Sequence, residues 1–229
     1  MQDRIDAIDR PTLASRVFDL LYEDIVSLKL LPGTKLTEVD VARQFGVSPQ
    51  PVRDAFHRLS DMDLILIRPQ RASKVRGFSL TRIEDARFIR LSIELEVAQR
   101  AFEIWDNSRA AKLQECLDKQ KRCVENLDGD GMQSLDYEFH RSICELGGCP
   151  RAFATIEKQK KKMERLCVLE HDHRIKKLES ILSDHQGIAQ ALKARSVEGV
   201  LAAARKHLGG LDETIKFIHS THSEYFEAE

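Results

Sequence analysis

Between Thr37 and Leu59 the chain reads TEVDVARQFGVSPQPVRDAFHRL, and no other stretch restricts the possible folds as strongly. Thr37 is a good N-cap, and Val39, Val41, Ala42 and Phe45 supply a helical apolar face. Gly46 can take the left-handed conformation that ends such a helix. Ser48 caps a second helix with Pro49 at its first position, where a missing N–H costs nothing. Val52, Ala55, Phe56 and Leu59 then repeat at helical spacing. Two short helices turning at a glycine form a helix-turn-helix, the arrangement whose second helix enters the major groove of DNA.

The flanking sequence fits that reading. Leu13, Val17, Leu20, Leu21, Ile25 and Leu28 predict a supporting helix over 12–30, stopped by Leu31-Pro32-Gly33. After it, Leu64–Ile67 and Lys74–Phe78 predict the two strands of a small hairpin, or wing. The formal net charge of -1 excludes a uniformly basic nucleic-acid binder, so any DNA footprint must come from local segregation of charge. From Arg43 to Arg76 there are seven Lys/Arg against three acids. The expected DNA-contacting residues are Arg43, Ser48, Gln50, Arg53 and Arg58 in the helices and Arg68, Arg71 and Lys74 in the wing.

Beyond Gly77 the pattern becomes helical throughout. Thr81 with Glu84 predicts a capping box opening a helix to about Trp105. Five more helices are expected: from Ser108 to about Leu127, Met132 to Leu146, Pro150 to Leu169, Ile175 to Ala194, and Ser196 to about Ser220. The chain is therefore expected to be mainly α, with a winged helix-turn-helix domain at 1–78 and an all-α antiparallel bundle at 79–229. A disordered tail is expected after His222. The five cysteines form no CxxC pair, which predicts reduced thiols. With no signal peptide or transmembrane run, a soluble cytoplasmic protein without membrane partners is expected.

The stretch PGTKLTEVDVARQFGVSPQPVRDAFHRL with its LILIRPQRASKVRGFS hairpin resembles the winged-helix domain of GntR-type bacterial transcription regulators over residues 12–78. The family's recognition turn reads like S-R-T-P-V-R. This chain keeps Ser48, Pro51, Val52 and Arg53, with Pro49 where Arg is usual and Gln50 where Thr is usual. Residues 79–222 resemble the C-terminal domain of the FadR group, called FCD, of the VanR-like kind with six helices. That likeness implies a divalent metal, Zn, Ni, Mn or Fe, on Asp136, His140, His185 and His207. It also implies that Arg90, in RLSIE, neighbours an effector carboxylate.

The residues themselves support an inward-facing polar cluster. Asp136 and His140 stack at i, i+4 beside the stripe Leu135, Phe139, Ile143 and Leu146. His185 shares a face with Ile181, Ile188 and Leu192, and His207 with Ala203, Ala204 and Leu211. Buried unpaired polar groups cost about 1–3 kcal/mol, and one ion would satisfy all four residues. His171 and His173 read as a polar loop, and Lys158–Lys162 as a solvated helix surface. The expected function is a homodimeric, effector-responsive DNA-binding regulator that is not an enzyme: a repressor bound to a double-stranded operator and tuned by a small organic acid. The alternatives are a metal-dependent enzyme built on the bundle or a helical adaptor. Neither gives the first 78 residues and their basic wing a role.

Overall fold

The computed structural model describes residues 12–169 and 174–228, which fall into two compact units, 12–82 with 221–228, and 83–220. In the first unit α1 (Leu13–Val26) starts at Thr12, whose hydroxyl accepts the Ser15 N–H. The strand β1 (Lys35–Leu36) leads into α2 (Glu38–Phe45) and α3 (Pro49–Asp61). Thr37 caps α2 by accepting the Asp40 N–H at 3.1 Å, and Gly46 ends it at φ 65°. Ser48 stands at the N-cap of α3 but its side chain makes no cap bond, and Pro51 removes the third-position N–H that it could otherwise have served.

The wing has three strands where two were expected. β2 (Ile65–Leu66) and β1 both pair antiparallel with the central β3 (Ser73–Val75), in the order β1-β3-β2. β1 is only two residues long, too short to leave an alternating pattern in the sequence. Val17, Leu21 and Ile25 of α1, Val52, Phe56 and Leu59 of α3, and Ile65 and Val75 of the sheet share one core.

The tail also departs from expectation. Residues Ser223–Tyr225 form a 3-10 turn, and Phe226 pairs with Phe78 in a parallel bridge. The Phe78 N–H donates to the Tyr225 carbonyl at 2.8 Å and the Glu227 N–H to the Phe78 carbonyl at 2.7 Å. The Glu227 carboxylate lies 2.7 Å from the Arg82 guanidinium and 3.7 Å from that of Arg76. A Cβ on Gly77 would sit 2.7 Å from the Tyr225 oxygen, so the approach requires glycine.

Among the described residues the helical half holds α4 (Leu80–Glu103), α5 (Asn107–Glu125), α6 (Gly129–Leu146), α7 (Ala152–Lys161), α8 (Glu164–Leu169), α9 (Arg174–Lys193), α10 (Val197–Gly209) and α11 (Asp212–Thr221). Six helices were expected; two of those are broken, at Lys162-Met163 and at Gly210-Leu211, the second where glycine's poor helix propensity favours an interruption. α4 begins at Ser79, which accepts the Arg82 N–H, rather than at a Thr81–Glu84 box. Asp128 caps α6 through the Gly131 N–H at 2.8 Å, which draws both glycines into the first turn. Val97, Ala101, Leu113, Phe139, Ile156, Leu192 and Val200 belong to its main core. His171 and His173 lie outside the described residues. No described helix is long and apolar enough to cross a membrane.

Candidate functional site

In the winged unit, the polar residues expected to meet DNA are exposed apart from the half-buried Arg68, and several are already engaged. Arg43 of α2 pairs with Asp40 at 3.1 Å. On α3 the Gln50 amide donates to Asp54 at 2.8 Å, and Arg53 donates through Nε and Nη2 to Oε2 of Glu38 at 3.1 and 2.9 Å. Arg58 lies over the Phe18 ring, 3.8 Å from its centroid, and so packs α3 against α1. Arg68 donates twice to the Ala72 carbonyl, at 3.0 and 2.7 Å, and closes the wing loop. Ser48, Arg71 and Lys74 are exposed.

In the helical unit the four residues expected to hold a metal come together. Asp136 and His140 project from α6, His185 from α9 and His207 from α10, with one donor atom of each within 4.8 Å of all the others. The Nε2 atom of His207 lies 3.3 Å from that of His185 and 3.2 Å from that of His140. Asp136 Oδ1 lies 3.4 Å from His185 Nε2 and 3.8 Å from His140 Nε2. His185 is fully buried and stacked on Phe139, with ring centroids 3.8 Å apart.

The other nitrogen of each ring is held from outside the cluster. Gln120 donates its amide to the Leu135 carbonyl at 3.1 Å, which turns Oε1 toward His185 Nδ1 at 2.9 Å. His185 must then carry its proton on Nδ1 and its lone pair on Nε2. Glu94 Oε2 lies 2.6 Å from His140 Nδ1 and imposes the same tautomer. Asp184 lies 3.8 Å from His207 Nδ1. Asp184 favours a proton on His207 Nδ1 in the same way, so three Nε2 lone pairs and a carboxylate oxygen face one another. Three imidazole nitrogens and one carboxylate oxygen, oriented from behind by Glu94, Gln120 and Asp184, are a donor set suited to a divalent transition ion.

The electrostatics agree with that chemistry. Burial, helped by the neighbouring His207 and His140 rings, holds His185 well below the usual imidazole range. Burial brings His207 down to about 4 against the pull of Asp184. Both rings are neutral near pH 7, the form that coordinates metal. Burial opposes charge on Glu94, but His140 and Arg90 together outweigh it and hold the carboxyl well below its usual range. Burial and the Glu94 charge push the Cys144 thiol up to about 12, so it offers no thiolate.

Arg90 is buried and donates to Glu94 Oε1 at 2.9 Å, so it reaches the cluster through Glu94 and His140. Lys160 pairs with Asp136 and lies over the Tyr137 ring. This corrects the reading of Lys158–Lys162 as solvated surface, since helical spacing carries Gln159 and Lys160 inward with Ile156. A small cavity borders His140, His207 and Glu94 and is otherwise mostly apolar. Sequence reasoning missed Gln120, Asp184, Lys160 and Lys206, which pairs with Asp184 at 2.7 Å. Asp184 alone left a signal, being adjacent to His185.

Comparison with known proteins returns two family models. The model described as "Bacterial regulatory proteins, gntR family" matches residues 13–75, and the FCD domain model matches residues 85–210. An Escherichia coli O6:H1 protein named as the uncharacterized HTH-type transcriptional regulator YdfH is 34% identical over 219 residues, 96% of each chain. The HTH-type transcriptional repressor RspR of Escherichia coli K12 is 35% identical over 214 residues, 93% of each chain. Among solved structures, E. coli McbR/YncC superposes with a TM-score of 0.69 at 23% identity, covering 92% of this chain and 99% of that one. At that identity the likeness concerns the fold.

Proposed function

Because the chain belongs to the gntR family of bacterial transcription regulators and carries its FCD domain, we propose that it is a metal-loaded, effector-responsive repressor. Its relatives are regulators rather than enzymes, which leaves a metalloenzyme reading without support. The observation that carries the proposal is the convergence of three imidazole Nε2 atoms and the Asp136 carboxylate inside the helical unit. Asp136, His140, His185 and His207 would hold the ion, Zn, Ni, Mn or Fe. The ion would supply a Lewis-acidic centre with positions left for oxygen ligands. A small carboxylate entering from the cavity beside His140 and His207 would meet it there, and Arg90 would neutralise the Glu94 charge that otherwise repels it.

Operator binding falls to the winged unit, with Gln50, Arg53, Arg71 and Lys74 at the DNA, acting in the cytoplasm as a homodimer on paired half-sites. The effector changes DNA affinity only if it prefers one arrangement of the dimer, a coupling typically about 5–150-fold. The test is metal analysis of purified His185→Ala and His207→Ala, alongside binding to duplexes selected by the wild-type protein from a random library. Both variants are expected to lose the metal and the response to small carboxylates while retaining DNA binding. Full metal stoichiometry in both would overturn the assignment.

A further inference from the structure

Three acids stand among the side chains that would read DNA: Asp40 on Arg43, Asp54 on Gln50 and Glu38 on Arg53. Each lowers affinity for phosphate, so its presence calls for a return in some other property. Glu38 is the best placed of the three. It is the first residue of α2, directly after the Thr37 cap, and its side chain is 32% exposed against 51% for Arg53. Its contact is made through Nε and Nη2 of Arg53, the edge nearer the side-chain stem. Nη1 and the outer hydrogen of Nη2 are left facing away from the carboxylate. That outer edge is the fork that pairs bidentately with O6 and N7 of guanine.

We infer that Glu38 is a positioning residue for base readout: it fixes the Arg53 guanidinium with its outer edge presented to the major groove. The inference rests on Arg53 meeting DNA, as proposed above. A free arginine side chain has many rotamers and can satisfy itself on the nearest phosphate, which gives affinity without sequence preference. Held by Glu38 across the turn between the two helices, Arg53 loses less freedom on reaching a base, and the Glu38 charge disfavours the phosphate alternative. Glu38 thus trades non-specific affinity for discrimination.

The test uses full-length wild type, Glu38→Gln, Arg53→Gln and the double variant. Each is titrated on a duplex selected by the wild type from a random library and on a scrambled duplex of equal length and composition, with the melting temperature recorded as a check of folding. Glu38→Gln is expected to lower the ratio of selected to scrambled affinity about tenfold, the size of one good bidentate contact, while scrambled affinity holds or rises. In the Arg53→Gln background the same change should leave the ratio unaltered. Equal gains on both duplexes would overturn the inference, because Glu38 would then only repel phosphate. So would a fall in the ratio that persists without Arg53. If Arg53→Gln leaves the selected duplex bound as tightly as before, the assignment of Arg53 to DNA itself fails.

Discussion

Glu94, Gln120 and Asp184 decide which nitrogen each histidine turns toward its neighbours, and none of them faces the centre directly. The consequence can be followed by pH. His185 and His207 titrate below the ordinary imidazole value in the folded protein, His207 at about 4, whereas in the unfolded chain both take protons near the ordinary value of about 6.5. Below that value the unfolded state binds more protons, so stability from these rings is complete above about pH 6.5 and is lost as the pH falls toward 4. Metal-free protein should therefore melt at a lower temperature at pH 5 than at pH 7.5. A leucine at position 185 should flatten that dependence, and an unchanged slope would count against the neutral-ring assignment. The four inward polar residues were legible in the sequence because helical spacing set each beside an apolar stripe. The residues behind them were not, because Gln120 and Lys160 reach the site from helices whose faces touch it only after folding.

At the scale of elements, the two helices of the reading unit start in physically different ways. Thr37 both accepts the Asp40 N–H and donates to its carboxylate, while Ser48 makes no cap bond and leaves the start of α3 to Pro49. Thr37→Ala should cost about 1 kcal/mol in denaturant unfolding, the usual worth of an N-cap. Ser48→Ala should cost no more than about 0.5 kcal/mol, as for a surface change that removes no native hydrogen bond. A large loss of operator binding by Ser48→Ala at unchanged stability would place that hydroxyl on DNA. Both helices of this motif were readable because caps, glycine and apolar spacing agreed. The third wing strand was not, since a two-residue strand is defined by its partner. The breaks at Lys162-Met163 and Gly210-Leu211 were hidden by hydrophobic periodicity that continues across them.

Across the whole molecule, the order of the chain and the order of its folded units differ. The chain leaves the winged unit near Arg82, builds the helical unit through Ser220, and returns to finish the first unit with its last residues. His207 sits on α10, with only α11 between it and that returning segment. Removing residues 223–229 takes away the Phe226 ring against Phe78, two main-chain hydrogen bonds and the counter-charge of Arg82. The winged unit should then melt several degrees lower, since about 1 kcal/mol shifts a unit of this size by roughly 4–8 °C. An unchanged melting temperature would mean that the returning segment adds nothing to the unit.

The returning tail also governs where this protein can be divided. The gap between the DNA-reading and helical family matches invites a cut near residue 80, yet a piece ending there lacks the residues that close its own fold around Gly77 and Phe78. Such a piece would be an incomplete unit rather than a minimal one, and a synthetic peptide covering 221–229 added in trans should bind it and restore its stability. For the same reason a label attached at position 227 would report on the DNA-reading unit, beside Arg76 and Arg82, despite following the helical unit in sequence.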